Sequence, residues 1–161
     1  MGDVTSNLRY ARDAITYVQK KLYRGAANQP DSTDDGKACV NYIRGSYLST
    51  NPSVKIPYVA QQAEAAACGN CGEQAAVAFV YLNRRGINPL SYMNLLDGTG
   101  VAIHSFVVIG TDFTDGDASG WGDAAVICDA WDSGQSYPAN LITLRMSLFT
   151  NGCAATEIYS V

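Results

Sequence analysis

Between residues 4 and 22, Val4, Leu8, Ala11, Ile15, Val18 and Leu22 recur at steps of four, three, four, three and four. That spacing marks one face of a helical period, and polar residues fill the rest. Asp3 can cap the start, Lys20, Lys21 and Arg24 suit the end, and Gly25 can stop the helix. A run of turn residues, Asn28 to Lys37, reads as a loop. Ala38 to Leu48 predicts a weak helix, Asn51 to Pro57 a connector with two prolines, and Tyr58 to Cys68 a short Ala-rich helix or turn. Ala75 to Leu82 is apolar throughout, which predicts a helix buried on every side. Asn70 and Glu73 form a capping box at its start, and Arg84, Arg85 and Gly86 suit its end. The spacing places this helix over about residues 71–85, with Cys71 in its first turn.

Past Gly86 the pattern changes. Ser91 to Leu96 and Val101 to Ile109 read as strands joined by the turn Asp97-Gly-Thr-Gly. Thr111 to Gly122 is a Gly/Asp-rich loop, and Ala124 to Cys128 is a further short strand. Leu141 to Phe149 and Thr156 to Val161 could add edge strands. Helices first and an antiparallel sheet second predict an α+β fold.

The chain has 161 residues, enough to bury a real core, and reads as a single domain over 1–161. Only 16% of residues are charged, which argues against a disordered tail or a coiled coil. The net charge of -4 makes nucleic acid a poor partner, since a phosphate backbone needs a basic stripe. No apolar run has the length of a membrane span, and the first residues do not read as a signal peptide. Charge is uneven: residues 1–85 carry ten of the eleven basic residues and seven acids, whereas residues 86–161 carry Arg145 and eight acids. Two differently solvated faces account for this, with an acidic rim for a basic partner as the alternative.

Five cysteines (Cys39, Cys68, Cys71, Cys128 and Cys153) and one histidine, His104, carry the candidate chemistry. An odd number in a chain of this size argues against a disulfide framework and for reduced thiols, one of them reactive. A thiol nucleophile works as the thiolate, which a helix N-terminus favours. It also needs an imidazole to hold the proton and a carboxylate to orient that imidazole. Cys71 opens the buried helix between Gly69 and Gly72, His104 lies in the strand after the turn, and Asp129 closes the strand Ala-Ala-Val-Ile-Cys. The helix packed over neighbouring strands would let the three converge.

GNCGE before an Ala-rich helix resembles the nucleophile segment of papain-like cysteine hydrolases. HSFVVIG, followed by WGDAAVICDAWDSGQSYP, resembles the His and Asp segments of bacterial papain-like toxins and effectors. That group includes glutamine deamidases and effector proteases and is more distantly related to transglutaminases. The likeness covers residues 68–138 and departs once, with Ala130 where the group has proline. It implies a papain-like arrangement, with a helical half packed on an antiparallel sheet. It further implies Cys71 as nucleophile, His104 as base and Asp129 as orienter, without metal or organic cofactor. The expected activity is hydrolysis of an amide in a protein substrate of a host or target cell. Glutamine deamidation leads, with proteolysis and transglutamination on the same triad as alternatives. The protein would act as a monomer, delivered without a signal peptide into a reducing cytosol.

Other readings compete. Cys68 is a rival nucleophile, and Asp132 a rival orienter. Cys68, Cys71, His104 and Cys128 could together hold zinc, which would make the chain a zinc-stabilised binding module. A redox CxxC lacks the surrounding βαβ pattern. A reversible Cys68–Cys71 disulfide could block the nucleophile. Gln61, Gln62 and Asn70 are candidate oxyanion donors beside the backbone N–H of Cys71. Glu73 reads as a cap, and Trp131 as a core anchor or a cleft wall.

Overall fold

A computed structural model describes residues 2–111, 118–132, 134–141 and 154–161. Four helices come first: α1 (Val4–Lys21), α2 (Asp34–Arg44), α3 (Pro52–Ala66) and α4 (Cys71–Arg84). Five strands follow: β1 (Leu90–Leu96), β2 (Ala102–Ile109), β3 (Val126–Asp129), β4 (Gln135–Pro138) and β5 (Ala154–Ser160). The fold is α+β, and the antiparallel sheet has the order β4-β3-β2-β1-β5. Among the described residues no helix is long and apolar enough to cross a membrane.

The first helix forms where its pattern places it. Asp3 accepts from the Ser6 N–H at 2.8 Å as the N-cap, and Ala11, Ala14, Ile15 and Val18 are buried. Two boundaries differ from expectation. α2 starts at Asp34, within the expected loop, because Thr33 caps it by accepting from the Gly36 N–H at 3.0 Å. The expected connector over 51–57 is the first half of α3. Asn51 caps that helix and Pro52 occupies its first turn, where the missing N–H costs nothing. Pro57 sits inside the helix, one turn on, and the Ala-rich stretch continues from it.

α4 is buried as its composition requires, with Ala75 to Phe79 and Leu82 out of solvent. It packs against α1, α3 and the strands β1, β2 and β3. The sheet has two covered faces. Leu90, Val107, Ile109, Val126 and Cys128 join the helices in one core. Met93, Leu95, Phe106, Val108 and Ile127 join Trp121 and Tyr137 in a second. This alternation follows from the two-residue period of a strand.

β1 and β2 form the expected hairpin, closed by the Asp97 N–H donating to the Val101 carbonyl. β3 runs to Asp129, one residue beyond its expected end. β4 was not expected: Gln135–Pro138 is short and lacks an apolar alternation. β5 begins two residues before the expected Thr156 and pairs with β1. Of the expected edge strand over 141–149, Leu141 closes a single 3-10 turn and the rest lies outside the described residues, as does Cys153.

The thiols correct the sequence reading. Cys39 on α2 and Cys68 form a disulfide across 29 residues of chain, with Cα atoms 6.2 Å apart. Cysteine spacing could not reveal this, since helix α3 folds back to bring the two ends of that span together. Cys68 is therefore neither a rival nucleophile nor a zinc ligand, and no Cys68–Cys71 disulfide forms in this state. Among the described residues no group of three or more His, Cys, Asp or Glu could hold a metal ion.

Candidate active site

The bend between α3 and α4 sets the position of Cys71. Ala67 takes a left-handed conformation at φ 63°, and the disulfide at Cys68 ties the bend to α2. The Gly69 N–H donates to the Gly25 carbonyl at 3.0 Å. A Cβ on Gly69 would lie 2.4 Å from Cβ of Glu73, so the close turn into α4 requires glycine there. Gly72 is different: its nearest foreign atom would be the Tyr92 hydroxyl at 3.6 Å, an ordinary contact.

The expected capping box closes the helix start. Glu73 accepts from the Asn70 N–H at 3.1 Å, and Asn70 Oδ1 accepts from the Ala27 N–H at 2.7 Å. The buried Glu73 carboxylate is also paired with Arg44 at 2.9 Å. Glu73 is thus a structural cap. The Asn70 side-chain oxygen is taken up by the loop before α2. Cys71, the first helical residue, keeps a partly exposed thiol at the positive end of the helix dipole.

His104 and Asp129 come from the adjacent strands β2 and β3. His104 Nε2 and Asp129 Oδ2 are 2.5 Å apart, and both side chains are buried. The second carboxylate oxygen, Oδ1, accepts from the backbone N–H groups of Trp131 and Asp132, each at 3.1 Å. Asp129 is therefore the carboxylate that bonds His104, and Asp132 holds that carboxylate through its backbone. With Nε2 committed to Asp129, Nδ1 is the ring nitrogen left to face Cys71. Burial alone would favour neutral His104, but the hydrogen bonds to Asp129 and Cys71 outweigh it and raise its pKa to about 10.

Trp131 lies over the imidazole, with ring centroids 5.2 Å apart. Its indole N–H donates to Asn28 at 2.8 Å, and its carbonyl accepts from Gln29 at 2.7 Å. It is a wall of the site rather than a remote core anchor. Cys128 is the other free cysteine among the described residues. It is fully buried on β3, and burial pushes its thiol well above the ordinary range.

Cys71, Gln74, Ser105, Asp129 and Trp131 border one narrow crevice with no room for a free water-sized void. Two larger hollows flank it. One, of about 440 Å³, shares Ser105 with the crevice and is also lined by Gly72, Tyr92 and Glu73. The other, of about 380 Å³, shares Gln74, Ala130 and Trp131 with it. Gln61 and Gln62 lie on α3 and border neither the crevice nor either hollow. Gln74 was overlooked, although its place three residues after Cys71 puts it on the same helix face. Its amide donates to the Gly69 carbonyl at 3.0 Å. Asn28 and Gln29 left no signal, since contact with Trp131 joins residues about a hundred positions apart in sequence.

No protein-family model, curated protein or solved structure matches this chain.

Proposed function

We propose that the chain is a thiol-dependent amide hydrolase acting through Cys71, His104 and Asp129, with protein glutamine deamidation as the reaction. The observation that carries this is the His104–Asp129 pair at 2.5 Å, with Cys71, the first residue of α4, as the other group that acts on the ring. Trp131 screens the pair from water, which strengthens its electrostatics.

In this reading Cys71 Sγ, its proton held by His104, attacks the carbon of a side-chain carboxamide. The first turn of α4 leaves backbone N–H groups without helical acceptors, and these face the oxygen that gains charge. The C–N bond breaks, and ammonia leaves with the proton from His104. Water then attacks the thioester and returns a proton to His104, Cys71 leaves as thiolate, and the product is a carboxylic acid. Deamidation leads on the likeness of the GNCGE and HSFVVIG segments, and proteolysis on the same triad is the second reading. The hollows on both sides of the crevice suit a polypeptide lying across it. The Cys39–Cys68 disulfide suits folding in an oxidising compartment, which weakens the case for a site of action in a reducing cytosol.

The test is alkylation followed by activity. Iodoacetamide at neutral pH should modify Cys71 and spare Cys128, and His104→Ala should abolish that selectivity. Cys71→Ala should fold normally and convert no glutamine to glutamate in candidate proteins, read by peptide mapping. Conversion retained in Cys71→Ala would reject the assignment.

A further inference from the structure

We infer that the hollow of about 440 Å³ beside Cys71 is a recognition pocket for an acidic side chain of the substrate polypeptide. The inference deepens the hydrolase reading and rests on it. The volume is that of an ordinary ligand pocket. Gly72, which lines it, directly follows Cys71 in the first turn of α4, so an occupant would lie next to the start of that helix.

The apolar part of its wall, made by Ile56, Val59, Ala76 and Ile158, can cover a side-chain stem. The polar part is lopsided. Its acid, Glu73, is already taken up by Arg44 and by the Asn70 N–H. What remains is a set of donors. The Tyr47 hydroxyl is buried and has no hydrogen-bond partner. Burial, the largest influence on it, raises its pKa, so it stays a neutral donor. Arg44 bonds Glu73 through Nε and one terminal nitrogen, leaving its other terminal N–H groups unspent. Lys55 lines the same hollow and has no salt bridge among the described residues. Asn94 accepts from Ser105 at 2.7 Å through its oxygen, leaving its NH₂ group. Donors from four side chains around one space, with the Lys55 charge left over once Arg44 and Glu73 are paired, call for an anion with several lone pairs. Within a polypeptide that is a carboxylate.

Three irreversible probes test this: acetyl-Glu-Gly, acetyl-Gln-Gly and acetyl-Lys-Gly chloromethyl ketones, with Cys71 modification followed by intact mass. The Glu probe should react about tenfold faster than its Gln isostere, and faster still than the Lys probe. The Glu/Gln ratio should fall with added salt. It should approach one in Lys55→Glu, an exposed position where folding is not at stake, and drop in Tyr47→Phe. Equal Glu and Gln rates, with iodoacetamide still selecting Cys71, would overturn the pocket and leave the hydrolase reading standing. Failure of iodoacetamide to select Cys71 would overturn both.

Discussion

Trp131 holds the Asp129 carboxylate by its backbone N–H at 3.1 Å while its ring covers His104, the residue that carboxylate orients. One residue thus both fixes the pair and shields it. Trp131→Ala is expected to lower turnover about tenfold to a hundredfold by admitting water and loosening the imidazole. Trp131→Phe, which keeps the shield but loses the bond to Asn28, should retain most of it. Steady-state rates of the two variants on one substrate check this, and equal losses would show that shielding is not the cause.

Orientation and charge at Asp129 can be separated. Asn at this position keeps an oxygen for His104 Nε2 and removes the negative charge. Alanine removes both, and in either variant the Trp131 and Asp132 N–H groups lose their acceptor, because an Asn oxygen on His104 turns its NH₂ toward them. Asp129→Asn is expected to cost about tenfold in the rate of Cys71 alkylation and Asp129→Ala about a hundredfold or more. Equal losses in the two variants would mean that charge, not geometry, governs the site.

Stability should follow the protonation of His104. Its folded pKa, about 10, lies above the ordinary 6.5, so the folded state binds the proton more tightly than the unfolded chain. The stabilisation from the charged ring is therefore complete below about pH 6.5 and fades as the pH rises through about 10. The gap in urea midpoint between wild type and His104→Gln should narrow across that range. A gap independent of pH would show that the ring is not held as a cation.

Gly69→Ala is expected to destabilise the fold by about 1–3 kcal/mol, the usual cost of overpacking. The new methyl would fall on Cβ of Glu73 and push the α3–α4 bend away from Gly25. Gly72→Ala should be much milder in thermal denaturation. Equal shifts in Tm for the two would contradict the packing at the bend.

Replacing Cys39 and Cys68 together by alanine removes a crosslink spanning 29 residues. The expected loss is about 2–4 kcal/mol, read from chemical denaturation. The same variant should alkylate less selectively at Cys71, since Cys68 anchors the bend leading into α4.

The parts of the fold set by local chemistry were legible in the sequence. α1, α4 and the β1–β2 hairpin stood out because periodicity, caps and turn residues agreed there. Cys71, His104 and Asp129 stood out as candidates by residue type and order, but their meeting was not legible in the sequence. α2 and α3 were misread because loop-like polar and proline residues turned out to be caps and first-turn residues, as Thr33 and Pro52 show. The Cys39–Cys68 bond and the clasp of Asn28 and Gln29 on Trp131 depend on distant segments meeting, which no local pattern encodes.

Ile158, on the last strand, forms part of the hollow beside the nucleophile. β5 must pair with β1 before that wall exists, and it does so at the edge of the sheet. Loss of that edge strand would open the hollow while leaving intact the β2–β3 pair that carries His104 and Asp129.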